Sequence, residues 1–227
     1  MNCMYIRYDP FPHLCNALLV IFLCVAGSVC AKPKTIVAFG DSLTQGYGLP
    51  ADAGFVPQLG NWLLVQGVSV RMVNAGVSGD TTAGGLARLD WTLAEPADLV
   101  IVNLGSNDML RGLDPKFTYE NLKQIMDKLK ARNIATLLIG HLGPLNYGED
   151  YKKDYDGAFA NLAASYDTVF YPFFFKSLMA LDGVTPNSHL YFQPDRLHPN
   201  AAGVQALVAD IGPYVLKALA GVGGKGL

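Results

Sequence analysis

A serine, a histidine and an aspartate in this chain have the types and the spacing that acyl transfer requires. Ser42 closes "GDS" directly after the apolar run "TIVAF" (35–39), and a hydroxyl at such a strand-to-helix turn is exposed and lies near helix N–H groups. It is a weak nucleophile until a neutral imidazole takes its proton, and that imidazole must be held in one tautomer by an acceptor on its other nitrogen. "DRLHPN" (195–200) offers both partners. Asp195 and His198 are three apart, so one turn brings carboxylate beside imidazole, and Pro199 suits the first turn of a following helix. The developing oxyanion needs donors: Asn107 in "GSND" carries an amide where a carboxylate would repel the charge. Gly79 in "VSGD" lets a backbone N–H approach closely, and the N–H of Ser42 is a third donor. Each cluster alone is equally an ordinary turn or cap, so the argument rests on their occurring together. Asp41, Asp80 and Asp108 stand next to these residues and are expected to brace loops rather than react.

Elements that could bring four distant clusters together are legible in the apolar pattern. The runs 35–39, 68–73, 98–104, 134–139 and 168–173 are mostly continuous rather than alternating, as in strands covered on both faces. Between them, Leu122, Ile125, Met126 and Leu129 recur at helical spacing within 117–133, one apolar helix face. Further helices are expected near 54–66, 82–94, 151–166 and 200–219. This βα alternation implies an α/β domain with a parallel sheet of about five strands and helices on both faces. In such sheets ligands bind beyond the carboxyl ends of the strands, which is where the clusters fall. "YPFFF" (171–175) reads as a strand end and its packing turn.

The chain has 227 residues, 51% of them hydrophobic and 16% charged, enough for one domain with a sizeable core. "ALLVIFLCVA" (17–26), preceded by Arg7 and followed by small residues, matches a secretory leader better than a span of about 18 or more residues. Residues 1–31 are expected to be removed, with cleavage between Ala31 and Lys32, leaving a single domain over 32–227 in the periplasm or outside the cell. The alternatives are an uncleaved N-terminal anchor and a start at Met4. All four cysteines (Cys3, Cys15, Cys24, Cys30) lie in that leader, so the mature chain has no thiol for a disulfide or a thiolate metal site. The net charge of −2 is unchanged by losing Arg7 and Asp9, and without a Lys/Arg block nothing marks the chain for nucleic acid. His13 falls in the leader, while His141 and His189 have no carboxylate at matching spacing and are expected to be structural or at a pocket edge.

Taken in order, "GDS", Gly79, "GSND" and "DRLH" resemble the blocks of the SGNH (GDSL) hydrolase family. "GDSLTQGYGLP", "MVNAGVSGDT", "GLARL", "LGSND" before "LRGL", "NYG" and "LHPN" are similar to its bacterial periplasmic branch of arylesterases, acyl thioesterases and lysophospholipases. The likeness runs over roughly residues 34–217. It implies a three-layer flavodoxin-like SGNH fold and a serine hydrolase without metal or other cofactor. By the same resemblance Ser42 is the nucleophile, His198 the general acid/base and Asp195 its orienting carboxylate. Ser42 N–H, Gly79 N–H and the Asn107 side chain form the oxyanion hole, and Leu110, Leu142 and Leu145 contact the acyl chain. Extra length at 181–193 departs from the family pattern and bears on pocket depth.

The reaction expected is attack of Ser42 on an ester or thioester carbonyl, formation of an acyl-enzyme and its hydrolysis by water, with activity rising as His198 loses its proton. The partner is a small acyl ester or thioester, such as an arylester, an acyl thioester or a lysophospholipid, with contact to a lipid or micelle surface. A short-chain acetylesterase acting on acetylated carbohydrate is the alternative within this chemistry. Outside it stand a metal-dependent phosphoesterase using Asp41, Asn107, Asp195 and His198, for which histidines at ligand spacing are lacking, and a non-catalytic carbohydrate- or lipid-binding module.

Overall fold

Both faces of the sheet are covered, which explains why its inner strands carry continuous apolar runs. In the computed structural model, residues 33–182 and 190–221 are described; the leader expected at 1–31, His13 and His189 lie outside them. Five strands, β1 (Lys34–Gly40), β2 (Val70–Gly76), β3 (Leu99–Asn103), β4 (Ala135–Ile139) and β5 (Val169–Tyr171), form one sheet in the order β2-β1-β3-β4-β5, and every pairing is parallel. The helices are α1 (Ser42–Gln45), α2 (Phe55–Val65), α3 (Thr82–Thr92), α4 (Ser106–Leu110), α5 (Pro115–Ala131), α6 (Glu149–Tyr166), α7 (Lys176–Asp182) and α8 (Ala201–Gly221), with a 3-10 turn at Leu145–Tyr147.

Alternation along the strands divides the core in two. Ile36, Ala38, Leu99, Ile101, Leu137 and Ile139 pack with Phe55, Leu59 and Leu63 of α2 and with Leu207, Ile211 and Val215 of α8. Val37, Phe39, Val100, Val102 and Leu138 meet Leu89 of α3, Leu122, Ile125 and Leu129 of α5, and Phe159 and Leu162 of α6. These are the three layers the sequence implies. From β1 the chain goes first to the edge strand β2 and then returns past β1 to β3, so the topological switch lies between β1 and β3, above which such sheets bind ligands.

The strand limits differ from the pattern by more than one residue at two strands. β2 starts at Val70 and runs on to Gly76, because its ladder with β1 continues through Ala38↔Asn74 and Gly40↔Gly76; backbone pairing, not apolar content, sets that end. β5 keeps only Val169–Tyr171, since past Tyr171 the chain turns inward to bury Phe174 under the sheet. The short helices α1, α4 and α7 fall below the length that apolar periodicity can reveal.

Candidate active site

Ser42 opens α1 at the end of β1, and the turn is possible because Gly40 has no side chain: a Cβ there would stand 2.1 Å from Thr44 Oγ1 and 2.6 Å from the Asn103 carbonyl oxygen. Asp41 caps α1, its Oδ1 accepting from Leu43 N–H at 3.0 Å. Its other oxygen accepts from the Ser106 hydroxyl and, at 3.3 Å, from the Asn107 amide. Full burial pushes the Asp41 carboxyl up to about 6, against the pull of the Ser106 hydroxyl and the Leu43 N–H.

The loop before α8 brings the other ionisable groups to Ser42 from 156 residues away. His198 Nε2 is 2.8 Å from Ser42 Oγ, and His198 Nδ1 is 2.7 Å from Asp195 Oδ2. Asp195 Oδ1 accepts from Leu197 N–H and His198 N–H at 3.0 and 3.1 Å, a closure that Arg196 permits by taking a left-handed φ of 60°. Partial burial pushes the Asp195 carboxyl up, but the N–H of Leu197, the imidazole and the N–H of His198 outweigh it and hold it below the ordinary carboxylate range. A carboxylate accepting at Nδ1 fixes the hydrogen there, which leaves Nε2 bare toward the serine.

Gly79 and Asn107 line the same cavity as Ser42 and His198, a pocket of about 280 Å³. Gly79 has φ of 80°, a conformation that costs other residues steric strain, and its carbonyl accepts from Arg111 at 2.8 Å. Asn107 Nδ2 donates to the Asp80 carbonyl at 2.9 Å, which ties the amide to the loop that carries Gly79. The neighbouring acids hold loops. Asp80 takes Arg88 Nε at 2.6 Å while the same guanidinium donates to the Gly40 carbonyl, and buried Asp108 accepts from Thr82 N–H and Thr82 Oγ1. His141 is buried with Nε2 3.0 Å from Asn103 Oδ1, and Asn103 in turn donates to Thr44. Burial pushes the His141 imidazole down to about 4.

The three leucines expected on the acyl chain part company. Leu110 lines the pocket, whereas Leu142 and Leu145 are not in its lining and stand exposed. Their loop is drawn onto α6, with Gly143 N–H donating to Asp156 and Lys152 reaching the Gly143 carbonyl. Apolar lining comes instead from Leu43, Met109, Phe175 and Leu197, with Tyr47 beside His198. "GYG" and "YPFFF" displayed Tyr47 and Phe175 in the sequence, but neither has a spacing that marks a pocket. Among the described residues no three His, Cys, Asp or Glu side chains are grouped to hold a metal ion. A larger cleft of about 670 Å³ lies by the starts of β4 and β5 and holds none of these residues.

Comparison with known proteins places relatives beside this geometry. The GDSL-like Lipase/Acylhydrolase family profile matches residues 38–206. The esterase TesA of Pseudomonas aeruginosa is 37% identical over 185 residues, 81% of this chain and 88% of that protein. The thioesterase 1/protease 1/lysophospholipase L1 of Escherichia coli is 36% identical over 191 residues, 84% of this chain and 86% of that protein. Among solved structures, AlinE4, an SGNH-hydrolase family esterase, is similar with a TM-score of 0.66 and 41% identity, covering 83% of this chain and 97% of its own.

Proposed function

The chain belongs to the GDSL-like lipase/acylhydrolase family and is an ester-bond hydrolase, and on that premise we propose that it cleaves carboxylic esters and thioesters through an acyl-enzyme on Ser42. What carries this reading is the unbroken line Ser42 Oγ, His198, Asp195 at 2.8 and 2.7 Å. His198 Nε2 takes the hydroxyl proton as Oγ attacks the carbonyl carbon. It then delivers that proton to the departing alkoxide or thiolate, and a water repeats the sequence on the acyl-enzyme. The Ser42 and Gly79 N–H groups receive the oxyanion together with the Asn107 amide, whose hydrogen on Asp41 makes only a 3.3 Å bond and turns to the developing charge. Relatives named esterase TesA and thioesterase 1/protease 1/lysophospholipase L1 support both ester and thioester substrates.

The test is covalent labelling together with rates. A fluorophosphonate should add one equivalent to Ser42, and mass spectrometry of the labelled peptide checks it. Absence of label with intact protein overturns the acyl-enzyme reading. Asn107→Ala should lower kcat by about 10²- to 10³-fold with little change in KM, measured on the best ester, because its amide is asked to bind charge that exists only in the transition state.

Apolar lining by Met109, Leu110, Phe175 and Leu197 favours an acyl chain over an acetylated sugar. A chain methylene takes roughly the volume of a water molecule, ~30 Å³, so 280 Å³ admits about nine chain atoms. Initial rates on p-nitrophenyl esters should therefore rise from acetyl to about octanoyl or decanoyl and fall by palmitoyl. A profile falling from acetyl onward favours the acetylesterase instead. Exposed Leu110, Leu142, Leu145 and Leu197 support contact of this edge with a lipid or micelle surface. Export to the periplasm rests on the leader at 1–31, and a mature N-terminus at Lys32 by intact mass checks it.

A further inference from the structure

Tyr47 lies five residues beyond Ser42, in the turn after α1, with its ring against the His198 imidazole. The centroids are 4.7 Å apart and the planes inclined by 38°. The side chain is 51% exposed, so filling the core does not account for an aromatic here. Its backbone is nevertheless held firmly. Tyr47 N–H donates to the Ser42 carbonyl at 3.1 Å, and the Tyr47 carbonyl accepts from Gln193 Nε2 at 2.8 Å. Gln193 Nε2 also donates to the Pro199 carbonyl at 3.0 Å, and Gln193 N–H to the His198 carbonyl at 2.8 Å. One glutamine thus ties the turn that carries Tyr47 to the loop that carries His198, and the two rings keep their mutual position.

We propose that Tyr47 is a further catalytic residue whose ring face stabilises the positive charge on His198 during each proton transfer. The inference rests on the reading of His198 as the base. When Ser42 Oγ bonds to the carbonyl carbon its proton moves to His198 Nε2, so the imidazole becomes a cation while the carbonyl oxygen becomes an anion. The cation persists until the proton passes to the leaving group, and it forms again when water attacks the acyl-enzyme. An aromatic face attracts a cation through its quadrupole. It holds the charged ring more strongly than the neutral one, and only such differential binding speeds the reaction. Asp195 serves the same charge from the ring edge, at Nδ1, and Tyr47 serves it from the face. The other groups acting on the imidazole are Ser42 at Nε2 and the buried Asp41 carboxyl, which is electrostatically coupled to it. All three stay in place when Tyr47 is changed.

Tyr47→Leu and Tyr47→Phe separate the ring face from the hydroxyl and from bulk, with His198→Ala as the control for the base itself. Measured on p-nitrophenyl butyrate, Tyr47→Leu should lower kcat roughly 2- to 30-fold, the range spanned by exposed and desolvated cation–π contacts. Tyr47→Phe should stay within about twofold of wild type. The acid limb of the kcat/KM profile should move to lower pH in Tyr47→Leu, by up to about one and a half units, and overlay wild type in Tyr47→Phe. A slower Tyr47→Leu enzyme whose acid limb has not moved makes Tyr47 a pocket wall and overturns the proposal. A Tyr47→Phe enzyme as impaired as Tyr47→Leu makes the hydroxyl the active part and overturns it equally. Full activity in His198→Ala is the separate result that removes the base reading on which the proposal stands.

Discussion

Ser42→Ala and His198→Ala should each lower kcat on the best ester by roughly 10⁴- to 10⁶-fold, and the double variant should be no worse than either single one. In the proposed mechanism the two side chains act as one unit across 2.8 Å: without the hydroxyl there is nothing for the imidazole to deprotonate, and without the imidazole the hydroxyl stays protonated. Asp195→Asn should fall by about 10⁴-fold, although the loop would keep its shape, because an amide facing Nδ1 no longer selects the tautomer with Nε2 bare. Activity left in all of these comes from binding and from the Ser42, Gly79 and Asn107 donors, so adding Asn107→Ala to Ser42→Ala should lower it further without erasing it, because the two backbone N–H groups remain. Rates at saturating ester, normalised to folded protein, check the series. A multiplicative loss in the double variant would show that Ser42 and His198 work separately.

Two buried groups should give the protein opposing responses to acid. His141 in the unfolded chain titrates near 6.5, but burial pushes it down to about 4. As pH falls through that window the unfolded chain gains a proton the folded one refuses, and stability is lost, by about 3 kcal/mol at 1.36 per unit. Asp41 runs the other way: burial lifts it from 3.8 to about 6. Below pH 6 the folded state binds a proton that the unfolded chain does not, so stability from Asp41 is present at low pH and is lost as pH rises, again by about 3 kcal/mol. Wild type should therefore show little slope from these two between pH 6.5 and 4. His141→Gln, which can still donate to Asn103, should become relatively more stable as pH falls, and Asp41→Asn less stable by a similar amount. Urea unfolding at pH 7, 5.5 and 4 reads the difference, in which other carboxylates cancel. Parallel curves for all three proteins would contradict it.

The sequence was most informative where chemistry and covalent spacing coincide. Asp195 and His198 are three apart, so their pairing follows from a single turn, and glycine, serine and asparagine at strand ends are visible as departures from apolar runs. Helices α2, α3, α5, α6 and α8 were legible because a core-facing side forces a repeat on them. What escaped depends on contacts without a local signature. Gln193 is an exposed-looking polar residue until its amide is seen bridging Tyr47 and Pro199. Asn103 ends an apolar strand, and only the fold turns it into a link between Thr44 and His141. Leu142 and Leu145 sit in the right loop, but Lys152 and Asp156, in the first turns of α6, decide where that loop lies.

The separation of 156 residues between Ser42 and His198, the proposed nucleophile and base, also bears on when the protein can begin to act. β1, between β2 and β3 in the sheet, carries Ser42 just past its end, whereas His198 takes its place only as α8 packs. Contacts this distant carry the largest loop-closure cost and close late in folding. A growing chain therefore carries a complete serine turn before its proposed proton acceptor is in place. On that reading, hydrolysis of surrounding acyl compounds starts only once the residues through α8 have been made and have folded.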